Sequence, residues 1–197
     1  PGYYRINSLS CAKGAVYLTG TFQGENQGSK CFTARYDRDG SLKWYNILQA
    51  PEIEQAEGNS IIVLSTQEEL LASRADIYVL AHARDKEKHQ RAILVRFDTL
   101  GNIEWQQTIF THEGPLNSVL LSDYGNNLYV AGWERDNGDR PTMYVGKYDE
   151  SGNASWFTKY YNEQIVYDDL KFDIMQPGSL VAAGLIKNTG ELFYMSC

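Results

Sequence analysis

Asp37-Arg38-Asp39-Gly40-Ser41 opens like the first half of a calcium-binding loop, with alternating carboxylates ahead of a glycine. Such a loop needs later oxygen ligands and a closing Glu, and neither follows. No cofactor is expected on this ground, and calcium is the one ion the pattern hints at. His82, His89 and His112 are bases in principle. None stands at a recognisable ligand or triad spacing from a partner, so each reads as a loop residue and not a catalyst. Nucleophile elbow, phosphate-cradling glycine loop and paired-histidine motif are all missing from the sequence. Cys11, Cys31 and Cys197 are odd in number and lack the close pairs of a zinc site. They read as buried free thiols, with a Cys11–Cys31 bridge left open. Nothing in these residue types points to a reaction, and no catalytic residue is assigned.

Binding is better served. Arg84, Trp133, Glu134 and Arg135 fall near the ends of strand-like segments, beside loops that would open on one face together with the acidic stretch Glu52–Glu57. Trp133 stands where related segments carry Thr21, His82 and Leu185, so its indole is not required by the local pattern. An exposed Trp flanked by charge is a contact anchor for a protein partner. The alternative reading is a rim aromatic that covers a neighbouring loop.

The elements that would hold these residues repeat. Tyr36-Asp37-Arg38-Asp39-Gly40 leads to Trp44, Phe97-Asp98-Thr99-Leu100-Gly101 to Trp105, and Tyr148-Asp149-Glu150-Ser151-Gly152 to Trp156. A basic residue, Arg35, Arg96 or Lys147, precedes each aromatic. Asp at the first turn position and Gly at the fourth suit a tight type I hairpin turn whose Gly is left-handed. Alternation on both sides, as in Phe32, Ala34 and Tyr36 before the turn and Leu42 and Trp44 after it, marks a β-hairpin. A second strand signal, Val16–Gly20, Ile77–Ala81 or Leu128–Gly132, ends 16 residues before the aromatic in every copy. A fourth such strand is Leu180–Gly184. A weaker strand precedes each: Tyr4–Ser10, Ser60–Leu64, Ser118–Leu121 and Asp168–Phe172.

Tryptophans spaced 61 and then 51 residues apart, in four-stranded units, predict an all-β chain of β-propeller type. The blades are expected at about 4–48, 58–110 and 115–161, with an incomplete fourth over 166–197. A Trp demanded by every unit packs neighbouring sheets and does no chemistry, and Asp37, Asp98 and Asp149, with Gly40, Gly101 and Gly152, shape turns. The acidic insertion Pro51–Gly58, a helical turn over Gln67–Arg74 and the mixed-charge run Arg84–Arg91 are expected to be solvated. The fourth unit breaks off in its third strand. The expectation is therefore a part of a larger propeller, or a ring completed by another chain, in preference to a closed four-bladed ring.

Composition limits the remainder. A net charge of −7 argues against a general nucleic-acid surface. No apolar run approaches the ~18 residues of a membrane helix, and no signal peptide opens the sequence.

Tyr129-Val130-Ala131-Gly132, Val145-Gly146-Lys147-Tyr148-Asp149, Gly152-Asn153 and Trp156 together resemble the bacterial seven-bladed β-propeller repeat family. The other copies depart at Ala81 and at Ser41, where Gly and Asn are usual in that pattern. The resemblance implies an exported, periplasmic or surface protein with an interaction role, a binding or scaffold module and not an enzyme. The turn-to-Trp spacing is also similar to that of quinoprotein dehydrogenases. That likeness implies a propeller enzyme, quinoprotein or glycan-active, with a pocket on the axis. The positions of its quinone, calcium and catalytic Asp cannot be assigned in this sequence.

Overall fold

The computed structural model describes residues 2–25, 28–65, 75–112, 116–122, 125, 127–135, 141–175, 179–186 and 189–196. Among them are fifteen β-strands and no helix, hence none long and apolar enough to cross a membrane. The helical turn expected over 67–74, the loop at 136–140 and residue 197 lie outside the described residues. The chain divides into two compact units, Pro1–Thr111 and His112–Cys197.

The first unit holds two antiparallel sheets, each with its strands in chain order. The first sheet comprises β1 (Tyr3–Ala12), β2 (Ala15–Gln23), β3 (Lys30–Asp37) and β4 (Leu42–Ile47). The second comprises β5 (Ile53–Ser65), β6 (Ala75–Asp85), β7 (Gln90–Phe97) and β8 (Ile103–His112). They pack face to face. Ala15, Tyr17, Cys31, Leu48 and Trp44 of the first sheet meet Ile61, Ile77, Val79, Ala81, Ile93, Val95 and Phe97 of the second. At this seam the β-branched residues of β6 and β7 fill the spaces between the ladders of the first sheet, whose own buried Thr19 donates to the Phe32 carbonyl at 2.7 Å.

In the second unit one sheet contains β9 (Leu116–Ser122), β10 (Leu128–Arg135), β11 (Pro141–Tyr148) and β12 (Ala154–Tyr161). The other contains β13 (Ile165–Met175), β14 (Ser179–Ile186) and β15 (Leu192–Ser196). Trp133, Met143, Ala131 and Val145 of the one pack on Ile165, Leu170, Leu180 and Ala182 of the other.

Several sequence expectations are corrected. The acidic stretch is not a loop. Ile53–Gly58 is the first half of β5, with Ile53 opposite Asp85 and Gly58 opposite Ala81. Its buried side chains, Ile53 and Ala56, point into the core while Glu54 stays exposed, a half-buried strand that charge count alone conceals. Gly58, opposite Ala81, lies close to the first sheet, where a Cβ would come within 1.9 Å of Thr19 Oγ1. Cys11 and Cys31 are both free, and Cys11 is exposed. Cys31 is buried, and burial pushes its thiol up to about 12. His82 lies within β6 and His112 ends β8, so neither is a loop residue.

Candidate functional site

The repeated residues form one geometry in three places. The Tyr17–Trp44, Tyr78–Trp105 and Tyr129–Trp156 rings lie 6.2, 6.1 and 6.2 Å apart at 56°, 57° and 57°. A cation stands over each tyrosine, Arg35 at 5.8 Å, Arg96 at 5.8 Å and Lys147 at 5.9 Å. Each hairpin turn closes through Gly N–H to Asp carbonyl bonds of 2.9, 3.1 and 3.0 Å, with the glycines at φ of 83°, 87° and 82°. In the second and third turns the Asp98 and Asp149 carboxylates accept the backbone N–H groups of Leu100 and Asn102, and of Ser151 and Asn153. Where Asn is missing, at Ser41, Asp39 accepts the Ser41 N–H instead, and Asp37 pairs with Arg35 and Lys43. These carboxylates are occupied by the turn itself and by neighbouring cations.

At the seam of the first unit the turn of the second sheet receives Trp44. The indole stacks on Phe97 at 5.9 Å and 18°, and its Nε1–H donates to the Thr99 carbonyl at 3.1 Å. Arg35 donates to the same carbonyl at 3.1 Å, and Asn46 to that of Gly101 at 3.3 Å. A Cβ on Gly101 would lie 2.5 Å from the indole.

The corresponding side of the first sheet is bare. Tyr4, Ile6, Leu9, Leu42 and Tyr45 are exposed, Tyr4 by 56% and Leu42 by 52%. All but Leu9 border a concavity of about 1200 Å³ that runs from Tyr4, Phe32 and Tyr45 to the Tyr36–Leu42 turn. Four rings gather at one end. Tyr4 meets Phe22 at 4.8 Å and Phe32 edge-on at 5.3 Å, and Phe32 stacks on Tyr45 at 6.0 Å. Burial, then a hydrogen bond with Tyr4, raises the Tyr45 phenol above its ordinary pKa. An open apolar surface of this kind on a sheet marks an interaction site.

The anchor residues expected from sequence are divided. Arg84 meets the acidic stretch, donating to Gln55 Oε1 at 2.9 Å with its Nε 4.0 Å from Glu54. It borders a small polar cleft of about 190 Å³ with Ser29, Glu57, His82 and Gln90. Burial lowers His82 to about 4, so its imidazole is neutral at physiological pH. Trp133, Glu134 and Arg135 belong to β10 of the second unit. Trp133 is only 9% exposed, against the expectation of an exposed indole, because it packs on Met143, Ile165 and Leu170. Arg135 lies 5.7 Å over its ring. Glu134 points to the other side, 4% exposed, bound by Lys159 Nζ at 2.6 Å, with His112 Nε2 at 3.6 Å.

The Arg84–Arg91 run is not simply solvated. Asp85 is buried beneath its own turn, takes N–H groups from Glu87 and His89, and is clasped by Arg91 Nη2 at 2.7 Å and Nε at 2.9 Å. Asp85, Glu87 and His89 hold ligand-type atoms within 4.8 Å of one another, a cluster the sequence reading overlooked although the i,i+4 spacing of Asp85 and His89 was its signal. The Arg91 guanidinium already neutralises the Asp85 carboxylate of this group. Burial works against ionisation of Asp85, yet hydrogen bonds from Arg91 and His89 hold it at about 2.

No family model and no curated protein sequence matches the chain. Among solved structures, the Hadza microbial sialidase Hz136 superposes with a TM-score of 0.57 at 13% identity, over 98% of this chain and 44% of the sialidase. The fold is that of a β-propeller. The chain therefore spans less than half the length of that propeller relative. The native Bacillus subtilis arabinanase Arb43A aligns over 96% of this chain and 92% of its own at 11% identity, with a TM-score of 0.32 that is too low to bear on the fold.

Proposed function

We propose that this propeller chain is a non-catalytic binding or scaffold module, kin to the bacterial seven-bladed repeat proteins, that engages a protein partner in an exported or surface assembly. The observation that carries this reading is the open aromatic side of the first sheet, where Tyr4, Leu42 and Tyr45 stand in solvent. Several carboxylates are committed to local structure. Asp39, Glu54 and Asp149 are held below the ordinary carboxylate range by hydrogen bonds from Ser41, Lys88 and Asn153. Asp98 is held low by Asn102 in spite of burial.

A second reading, favoured by the superposition on a sialidase, is glycan-active, with the cleft around Arg84, Glu57 and His82 as its site. One set of experiments separates the two. A photo-crosslinker at position 45 is expected to yield a defined adduct in extract from cells that make the protein. The purified partner should bind the chain with micromolar or tighter Kd, and the Tyr45→Asp variant at least tenfold more weakly. Sialosides and arabinan should remain intact. Turnover of either that Arg84→Ala abolishes would replace the first reading by the second, and a partner indifferent to Tyr45→Asp would show that the open side of the first sheet is not the binding surface.

A further inference from the structure

We propose that the polar cleft around Arg84 is a receptor for one neutral sugar residue, which it holds by hydrogen bonds and does not cleave. The inference goes beyond the binding-module reading, because the cleft shares no residue with the open side of the first sheet. Its ground is the strand register. Arg84 of β6 stands opposite Gln55 of β5 and Gln90 of β7, and His82 stands opposite Glu57. Residues 82 and 84 lie two apart on β6, so these five side chains share one face of the second sheet. Ser29 of the first sheet borders the cleft, and its carbonyl fixes β5 there by accepting the Ala56 N–H at 2.8 Å.

Little of the hydrogen-bonding capacity gathered there is used within the protein. Among the described residues Arg84 gives one hydrogen bond, Nη2 to Gln55 Oε1 at 2.9 Å, although a guanidinium carries five N–H donors. Glu57 accepts one, from Arg5 Nη2 at 2.9 Å, and the amide N–H groups of Gln55 and Gln90 give none. Charge is balanced. Arg84 has Glu54 at 4.0 Å and Glu57 has Arg5, so neither an anion nor a cation finds an uncompensated opposite. His82 adds no charge at neutral pH, because burial keeps its imidazole neutral. Spare donors beside a spare acceptor, without net charge, suit hydroxyl groups, each of which both donates and accepts. A sugar ring presents several of these close together. At about 190 Å³ the cleft falls short of the roughly 300–1000 Å³ that encloses a drug-sized ligand, so it admits one ring and not a chain. Among the described residues that line it none is aromatic, which leaves a nucleobase nothing to stack on. Glu57 is the one carboxylic acid among them, whereas glycoside hydrolysis usually takes a pair. The bound sugar is therefore kept intact.

The test titrates methyl glycosides of glucose, galactose, mannose and N-acetylglucosamine into the isotope-labelled chain and follows its amide NMR spectrum. At least one is expected to saturate with a Kd of about 0.1–10 mM, as a few hydrogen bonds without stacking allow. The amides of residues 54–57 and 82–90 should move. Arg84→Lys keeps the positive charge beside Glu54 but loses the planar fork, and should weaken binding about tenfold. Gln90→Ala removes one amide and should weaken it about threefold. The same spectra show whether each variant is folded, and either one decides if the other is not. Shifts confined to other residues, no shift with any of these sugars at about 50 mM, or binding that ignores the substitutions overturns the proposal. So does equal binding of acetate, of glycine or of the methyl glycoside of N-acetylneuraminic acid, because the cleft would then be reading charge. Release of methanol from a bound glycoside would overturn it in favour of the glycan-active reading. A missing crosslink at position 45 leaves these amides unaffected, so this inference and the binding-module reading fail separately.

Discussion

The first and second sheets of the first unit are copies of one design with opposite fates. The second sheet turns Ile77, Val79, Val95 and Phe97 towards Trp44 and keeps all four almost free of solvent. The first sheet turns Val16, Leu18, Ala34 and Tyr36 outward into an open concavity. Local geometry hardly distinguishes them, since the backbone bonds of the turn and the Tyr–Trp pair are alike in both. What differs is the neighbour. A sheet face acquires most of its stabilising value from whatever covers it, so equal residues at equivalent positions carry unequal energies.

The largest expected consequence is at the ring that receives the indole. Phe97→Ala removes a ring that is 2% exposed and stacked on Trp44, and should cost about 3–5 kcal/mol in urea unfolding. Tyr36→Ala at the equivalent place should cost no more than about 1–2 kcal/mol, because its ring has only its own sheet to pack on. Equal costs would mean that the face of the first sheet is already covered, and the contrast would fail.

The turn glycines sharpen the same point at a lower cost. Gly40→Ala and Gly101→Ala both force an L-residue to positive φ, at about 1–2 kcal/mol each. Only at Gly101 does the new methyl strike Trp44, which adds about 1–3 kcal/mol of overpacking. The difference between the two unfolding free energies isolates the indole contact.

Much of this architecture could be read from the spacing of aromatics, because period-two alternation and a positive-φ glycine are local demands that the sequence must satisfy residue by residue. The site could not be read in the same way. Trp133 looked like an exposed anchor because it breaks the repeat, but its burial depends on Ile165 and Leu170, distant in sequence. Glu52–Glu57 looked like a loop because charge surrounds the inward-facing Ile53 and Ala56, and a register irregularity between Ile53 and Gln55 breaks the period of two. The open face was hidden for a related reason. Its residues obey the core pattern, and no local feature records whether anything covers them.

The smallest of the expected effects asks whether the second sheet differs from the first in its response to acid. His82 occupies the position of Thr21, and burial lowers its pKa to about 4 from an ordinary 6.5. Above pH 6.5 both folded and unfolded chains hold it neutral, and its contribution to stability is complete. As pH falls from 6.5 towards 4 the unfolded chain takes up the proton first, so stability is lost across that window. The loss should be on the order of 2 kcal/mol by pH 4. Carboxylates such as Asp98 titrate nearby, so the useful quantity is the difference from His82→Thr, which gives the second sheet the residue of the first. Unfolding by urea at pH 7.5 and at pH 4 should show the wild type losing more stability than the variant. Parallel pH profiles would show that His82 reaches water in the folded chain, and the covered sheet would then be more open than its neighbours Leu80 and Leu94, both fully buried, suggest.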